Sequence, residues 1–327
     1  MSLRTARDRW LSYITVKRKL FPLSLLRIGY GTILFVYFIM LWPERDFFFS
    51  LRTGYYPTEY VSINSKLLEG WIQVFDSYIM LDAILLIGIV SAAFFAVGFL
   101  TKPAHLLLYA SFFLLEGRNP LLFDAGDDFV QLSLLYLLFS QLNAHLSVDN
   151  WLKRGKNGAA ERRPEREWAA ILHNFGMIAV IIQFLLIYLI SDATKVLGSK
   201  WRSGEVMYYI SYAEIYNLME PVTAMLRSYP WISVVLSYSV MLFQLLFAVL
   251  VFMKKTRPWI LIVAVCFHAG IALHFGLLYF SLIMIIFDVM FFSDEEWRAW
   301  RMRLQERFAA LLKRKTTRVR SSAAGEN

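Results

Sequence analysis

Polar and ionisable side chains within apolar stretches are the residues of this sequence that could do chemistry. One group contains Gln183, Tyr188, Asp192 and Lys195, and Trp201 follows it. A charge near the bilayer centre costs at least a few kcal/mol, so such residues indicate function. Asp192 and Lys195 are three residues apart and share a helical face, which permits an ion pair. Alternatively, Lys195 lies in a dry pocket that favours its neutral amine, a usable general base.

A second polar group lies between two apolar runs. Pro120 and Gly126 allow a tight turn there, and the acidic residues can cap the positive end of the next helix. The same acids could instead belong to a binding site, but their spacing lacks a calcium-loop pattern, and we predict no metal. The candidates for capping or binding are Arg118, Asn119, Asp124, Asp127 and Asp128.

Two histidines and two further charges complete the set. His268 and His274 are six residues apart, so they lie on different helical faces and cannot form the i, i+4 pair of a zinc helix. Each is either a hydrogen-bonded core residue or a pocket residue. Arg27 and Asp288 are predicted to be structural intramembrane charges. Arg27 either extends to the cytoplasmic headgroups or pairs with a carboxylate, for which Asp288 is a candidate.

The composition indicates what surrounds these residues. Of the 327 residues, 58% are apolar and only 18% are charged, unlike an ordinary soluble domain. Aromatic residues make up 17%, including ten Trp, which suits rings at two lipid–water boundaries. The single Cys266 excludes an intrachain disulfide and a zinc-type cysteine cluster. We therefore predict an all-α integral membrane protein.

Eight apolar runs indicate about eight transmembrane helices. A helix of about twenty residues crosses a hydrocarbon core of about 30 Å, and only a helix satisfies its own backbone hydrogen bonds in lipid. The third, fourth and eighth runs are short, so one of them could be re-entrant or tilted. The runs are Pro22–Trp42, Tyr78–Leu100, Pro103–Leu115, Phe129–Leu142, Ala169–Ile190, Trp231–Met253, Pro258–Leu273 and Leu277–Phe292.

The distribution of Lys and Arg predicts the orientation of these runs. The basic residues are concentrated in alternate segments and at both ends of the chain, and cytoplasmic segments keep more of them. This topology accounts for the net charge of +9 without a nucleic-acid partner, because no basic-aromatic surface motif is present. We expect a multi-pass protein of the cell membrane with both termini in the cytoplasm and membrane lipids as partners.

Four segments follow from this pattern. Residues 1–20 form a basic cytoplasmic segment, and residues 21–293 form the transmembrane domain. Ser293 and Glu296 then have capping-box spacing, and apolar residues recur at helical spacing after them. Residues 294–315 are therefore predicted to form an amphipathic helix on the inner leaflet. Residues 316–327 are predicted to be a disordered tail.

Several functional classes lack their motifs here. The sequence has no Gly-rich phosphate loop, no Gly-x-Ser-x-Gly and no Walker sequence. Matching halves with broken helices, which many secondary transporters have, are not evident. ATP-driven transport is therefore not expected.

Taken in order, the motifs resemble those of the horizontally transferred transmembrane domain family, which includes the membrane part of vitamin K-dependent gamma-carboxylase. Each piece is short, but the ordered series extends over nearly the whole chain. The matching pieces are Leu26-Arg27 with Gly31, Arg118-Asn119-Pro120 with Gly126-Asp127, Leu146-Ser147-Val148-Asp149, Tyr188 to Lys195 leading to Trp201-x-x-Gly204, and His268 leading to Phe280-Ser281.

The resemblance implies a role for Lys195. In the carboxylase, the matching lysine is the base that deprotonates reduced vitamin K, and this starts oxygen-dependent proton abstraction from glutamate. A vitamin K-type quinol is therefore the cofactor that the resemblance implies. The carboxylase's functional histidine has no counterpart, because that neighbourhood reads Gly126-Asp127-Asp128, and we expect no counterpart of the carboxylase's large lumenal domain. Full glutamate carboxylation is not implied.

Length and the Asn143–Asp149 region look more like the bacterial sporulation-delaying-protein B branch, whose members are implied to help produce an exported antimicrobial peptide. We therefore expect a maturation factor for an exported peptide, with Lys195 as the base of an outward-facing site and residues 118–128 shaping the pocket. Companion biosynthesis proteins would be further partners. The alternative is a non-enzymatic membrane protein that binds or transports a quinone, lipid or peptide.

Overall fold

The computed structural model describes residues 14–50, 77–157 and 166–306, and all regular secondary structure within these ranges is helical. Short 3-10 turns at Pro120–Leu122, Glu214–Tyr216 and Asp288–Phe291 connect or extend the α-helices. The α-helices are α1 Leu20–Leu41, α2 Arg45–Phe49, α3 Tyr78–Val97, α4 Thr101–Arg118, α5 Ala125–Leu137, α6 Val148–Asn157, α7 Glu167–Leu197, α8 Ser199–Arg202, α9 Val206–Ile210, α10 Glu220–Ser228, α11 Pro230–Leu250, α12 Arg257–Phe275 and α13 Leu278–Phe287.

All eight predicted apolar runs fall on helices, but only some of these helices can cross a membrane unaided. Five of the described helices, α1, α3, α7, α11 and α12, are long and apolar enough to do so. Helix α5 has 13 residues and α13 has 10, so both are shorter than a bilayer span. The described part of the protein is thus a multi-pass helical membrane protein, and the count of about eight spans stays a prediction.

Helix α1 packs along α3, and α3 packs in turn against α4. Gly31 allows the first of these contacts, since a Cβ atom there would lie 2.5 Å from the backbone nitrogen of Ala96. Small residues at such crossings let two helix backbones approach closely within a membrane. Helix α13 lies against α1, α5 and α12, so it connects the group α1, α3 and α4 with α12. Helix α7 contacts α5 and α11.

The Arg27 guanidinium is fully enclosed in this packing, with only 1% of the residue exposed. It donates hydrogen bonds to the carbonyl oxygens of Phe95 and Ala96 at the end of α3 and of Leu142 and Leu146 in the loop between α5 and α6, at 2.5–3.1 Å. Among the described residues, Arg27 therefore makes no direct ion pair with a carboxylate, and its side chain does not extend to the protein surface. The terminal carbonyls of a helix have no partner within the helix, and here a charged side chain satisfies them.

Both carboxylate oxygens of Asp288 are buried without a hydrogen-bond partner, so its proposed pairing with Arg27 is not formed. Asp288 belongs to the 3-10 turn that extends α13. The sequence placed both residues near the inner ends of their runs. The sequence could not show that the Arg27 guanidinium already donates hydrogen bonds to four backbone carbonyl groups.

Asp149 explains the Leu146–Asp149 motif in structural terms. Its carboxylate accepts hydrogen bonds from the backbone N–H groups of Leu100 and Thr101 and from the Thr101 hydroxyl, at 2.7–3.0 Å. Asn143 donates a fourth bond at 3.1 Å. Asp149 therefore caps the positive end of α4 from a distant part of the chain, a position where a carboxylate is stabilising.

The chain after the last apolar helix begins as the capping-box spacing predicts. Glu296 Oε2 accepts from the Ser293 N–H at 2.8 Å, and Ser293 Oγ accepts from the Glu296 N–H at 3.2 Å. Residues 294–306 are helical. The rest of the predicted surface helix to residue 315, the tail 316–327 and residues 1–13 of the basic segment lie outside the described residues, so the inner-leaflet position stays a prediction.

Candidate functional site

A cavity of about 230 Å³ lies where α7, α11, α12 and α13 meet under the short helices α8 and α9. Most of its wall is apolar, with aromatic side chains such as Phe267 and Phe280. Pockets of this kind, apolar with a few converging polar groups, are typical of sites for small molecules. The residues that give this cavity its polar chemistry are Tyr188, Ser191, Lys195, Trp201, Gln244 and His268.

Lys195 reaches the cavity from the last turn of α7. This helix has 31 residues and is about 46 Å long, more than a hydrocarbon core of about 30 Å requires. The amine donates to the Ser191 carbonyl at 3.2 Å and to Ser191 Oγ at 2.5 Å. It also lies 5.2 Å from the centre of the Trp201 ring, within range of a cation–π contact.

The ion pair considered for Asp192 and Lys195 is not formed between these two described residues. The amine bonds to Ser191 instead, and Asp192 is buried with one carboxylate oxygen unpartnered. Asp192 does not line the cavity. A spacing of three residues puts both side chains near one face of the helix. The Lys195 side chain, however, lies along the cavity wall, which Asp192 does not line.

Tyr188 and His268 meet across the cavity wall, which the sequence alone could not show. The Tyr188 hydroxyl and His268 Nε2 are 2.7 Å apart. Tyr188 is held in place by stacking on Phe247, with ring centres 4.3 Å apart and planes at 10°. His268 is 2% exposed, and its Nδ1 has no hydrogen-bond partner. The two residues therefore form a rigid polar pair in an apolar wall.

Helices α8 and α9 cover the cavity and carry Trp201, Met207 and Ile210 into its wall. Gly204 connects them in the left-handed region, with φ of 75°, where glycine is favoured. Its carbonyl accepts from the hydroxyls of Ser233 and Ser237 on α11, at 2.9 and 3.2 Å. The Trp201-x-x-Gly204 motif thus anchors the cover of the cavity to α11.

Lys200, on the outer side of this cover, has a different environment from Lys195. It is exposed and forms a 2.9 Å ion pair with Glu205. Its contacts with Tyr209 and Glu205 raise the pKa of Lys200, so it stays charged at neutral pH. The two neighbouring lysines therefore offer a natural comparison between a cavity amine and a surface ammonium.

The polar group at residues 118–128 does not line this cavity. Arg118 donates to the Phe49 carbonyl, and Asn119 donates to the Phe48 carbonyl at 2.7 Å, so both hold α2 against the end of α4. Asp128 is exposed. Gly126 of this group packs against Phe280, a residue of the cavity wall, because a Cβ atom at Gly126 would lie 3.0 Å from the Phe280 ring.

Asp124 and Asp127 form a capping box at the start of α5. Asp124 Oδ1 accepts from the N–H groups of Gly126 and Asp127 at 2.6 and 3.3 Å, and Asp127 Oδ2 accepts from the Asp124 N–H at 2.8 Å. Asp124 and Asp127 therefore cap the start of α5, which is the first of the two roles considered for these acidic residues. Within the described ranges, no group of three or more His, Cys, Asp or Glu side chains could hold a metal ion.

His274 is buried, but it lies outside the cavity and both its ring nitrogens lack partners. Ser191 and Gln244 do line the cavity and were missed by the sequence reasoning. Gln244 had a detectable signal, because it is a polar amide in the middle of an apolar run. Ser191 had no such signal, because a serine near a helix end is common.

The helical bundle, the apolar spans and the mostly apolar cavity with a few polar side chains define the class: a polytopic membrane protein with a small-molecule-sized site between its helices. A family model described as HTTM domain matches residues 19–297, most of the chain. The protein belongs to the HTTM domain family. Searches of curated proteins and of solved structures gave no match.

Proposed function

We propose that this HTTM protein is a membrane-embedded maturation enzyme for an exported peptide, with Lys195 as its base. The observation that carries the proposal is that Lys195, Tyr188, His268 and Trp201 line one cavity, although α7, α8 and α12 contribute them separately. Motif similarity to the vitamin K-dependent carboxylase and to the sporulation-delaying-protein B branch supports the same role for Lys195.

The surroundings of Lys195 suit a proton acceptor. A neutral amine can take a proton from a bound weak acid and become an ammonium. The Ser191 carbonyl and hydroxyl, together with the Trp201 ring face, would then stabilise that ammonium without an opposing carboxylate in direct contact. The Tyr188–His268 pair gives the cavity a second group that can donate or accept a proton.

The chemistry of the wall fits a ring compound such as the quinol that the resemblance implies. Aromatic side chains would hold its rings, and Lys195 would face its oxygen. When bound, such a group supplies redox chemistry that the side chains of this protein lack. The residues of the chain bind, orient and exchange protons with it.

We place the protein in the cell membrane with both termini in the cytoplasm and the cavity toward the outer face. Lys195 lies in the last turn of α7 and the cover formed by α8 and α9 follows it, whereas α7 begins at the end of the basic segment 153–167. Retention of that basic segment in the cytoplasm would direct the end of α7 outward. An exported peptide could then reach the cavity from the side on which it is released.

Lys195→Ala tests the proposal, with Lys200→Ala as a matched control. Lys195→Ala should abolish production of active peptide while membrane abundance stays normal, because the amine contributes to chemistry and not to an ion pair. Lys200→Ala should leave peptide production unchanged. Mass spectrometry of the peptide exported by cells with each variant measures the outcome directly.

The covalent state of the peptide separates an enzyme from a carrier. An enzyme leaves a mass or cleavage difference between peptide made with and without the protein, whereas a protein that only binds or transports a quinone, lipid or peptide leaves none. Equal peptide yield from wild type and Lys195→Ala would remove the lysine from the mechanism.

A further inference from the structure

Gln244 is a buried amide in the cavity wall whose oxygen has no protein partner. It belongs to α11 and is 6% exposed. Its Nε2 lies 3.5 Å from Ser191 Oγ, at the limit of a hydrogen bond, and its Oε1 has none. Leaving a buried acceptor unsatisfied is unfavourable. An apolar side chain of similar shape would avoid that cost, so a group bound in the cavity is the natural partner.

His268 supplies a second unsatisfied atom in the same wall. Its Nε2 is occupied by the Tyr188 hydroxyl, while Nδ1 is buried without a partner. Gln244 on α11 and His268 on α12 therefore both line the cavity, and each has one buried polar atom without a partner. Other described residues also have buried polar atoms without partners, but Gln244 and His268 line one cavity, where a bound molecule can supply the missing hydrogen bonds.

We propose that Gln244 selects the ligand of this cavity: its Oε1 accepts a hydrogen bond from a hydroxyl or N–H group on a compact, largely apolar molecule. The inference rests on the proposed function, because it takes this cavity as the reaction site. Gln244 is a specificity-determining residue in this scheme, and Lys195 remains the base.

The position of Gln244 places the ligand beside Lys195. Ser191 Oγ accepts from Lys195 at 2.5 Å and lies 3.5 Å from the Gln244 amide, so one hydroxyl stands between the two side chains. A donor group held by Gln244 is therefore close to the amine. The cavity of about 230 Å³ exceeds the roughly 150 Å³ of an apolar cavity that holds benzene, so two fused rings have room.

Two probes that differ only in a donor test this inference. The full-length protein in lipid nanodiscs is treated with an amine-acylating reagent, and protection of Lys195 by 2-naphthol or by 2-methoxynaphthalene is quantified by peptide mass spectrometry. The naphthol has a hydroxyl to donate, and the ether has none. The ratio of naphthol affinity to ether affinity should be about tenfold higher in wild type than in Gln244→Met. A factor of about ten corresponds to the loss of one hydrogen bond.

The two probes partition differently into lipid. This difference is the same for every variant, so it cancels when the affinity ratios of the variants are compared. Gln244→Met keeps the side-chain volume and should retain affinity for the ether, which shows that the cavity is intact. Gln183→Met is the matched control, because Gln183 also has an unpartnered Oε1 but lies on α7 outside the cavity. This control should discriminate like wild type.

Three results would overturn the inference: Gln244→Met discriminating like wild type, Gln183→Met losing the discrimination as well, or neither probe protecting Lys195 in wild type. Protection reports binding and needs no peptide processing. A negative result here therefore leaves the role of Lys195 to the peptide experiment, and a negative peptide experiment leaves the binding result in place.

Discussion

Arg27 shows how one side chain can connect separate segments of this protein by donating hydrogen bonds to their backbone carbonyl groups. Its four carbonyl partners belong to the end of α3 and to the loop that precedes α6, so one side chain fixes the meeting point of three segments. A guanidinium suits this task because its donors point in fixed directions in one plane. The charge is retained in the interior for structural reasons, without a carboxylate at hydrogen-bond distance.

The hydrogen bonds of Asp149, another single residue, predict that the stability of the folded protein depends on pH. Burial acts to raise the pKa of Asp149, but the hydrogen bonds from Thr101, Asn143 and the Leu100 amide outweigh it and lower the pKa below its usual value. A carboxyl whose pKa is lowered by folding contributes stability above its unfolded pKa of about 4. That contribution is lost as the pH falls through the lower folded value.

We therefore expect Asp149→Asn to lower the melting temperature of the detergent-purified protein by a few degrees at neutral pH, the size of a lost helix cap. The difference from wild type should shrink as the pH falls below about 4, since the wild-type carboxyl is then neutral as well. Thermal unfolding of both proteins across a pH series measures this. A difference that stays constant with pH would contradict the capping role.

At the scale of elements, the crossing of α1 and α3 depends on the absence of a side chain at Gly31. A Cβ atom there would lie 2.5 Å from the Ala96 nitrogen, which belongs to backbone and cannot rotate away. Gly31→Ala should therefore force the helices apart and destabilise the protein by about 1–3 kcal/mol. Thermal unfolding of the purified variant measures the loss.

Gly270→Ala is the matched control for that substitution. Gly270 is also helical, on α12, and a Cβ atom there meets nothing within 4 Å. Alanine is the better helix former by up to about 1 kcal/mol, so this variant should be as stable as wild type or slightly more so. Equal losses from both variants would show that helix packing at Gly31 is not the cause.

At the scale of the whole molecule, the orientation in the membrane decides whether the cavity faces an exported peptide. Cys266 is the single cysteine, so Cys266→Ser gives a parent without thiols. Lys200→Cys and Lys153→Cys then place thiols at exposed positions after and before α7. We expect an impermeant maleimide to label Lys200→Cys in intact cells and Lys153→Cys only after permeabilisation.

The thiol-free parent should stay unlabelled in both conditions, which is the control for non-specific reaction. Labelling of Lys153→Cys in intact cells would place the start of α7 outside and would turn the cavity toward the cytoplasm. The proposed action on an exported peptide would then fail, whereas the fold and the cavity itself would be unaffected.

The sequence by itself determined the class of protein and most of its helices. Long apolar runs can satisfy their backbone hydrogen bonds in lipid only as helices, so composition and run length were sufficient. It also indicated the charges worth examining, since polar groups are costly there. The Asp124–Asp127 capping box and the Ser293–Glu296 capping box were local features, readable from spacing alone.

Only the tertiary structure decided which of those polar residues come together. Tyr188, Lys195, Trp201 and His268 share a cavity because α7, α8 and α12 pack around it, whereas Arg118 and Asn119 bind backbone carbonyls elsewhere. Gln244 joined the site through the packing of α11. Helical periodicity fixes the face on which a side chain lies, but the partner of that face depends on contacts between helices far apart in the chain.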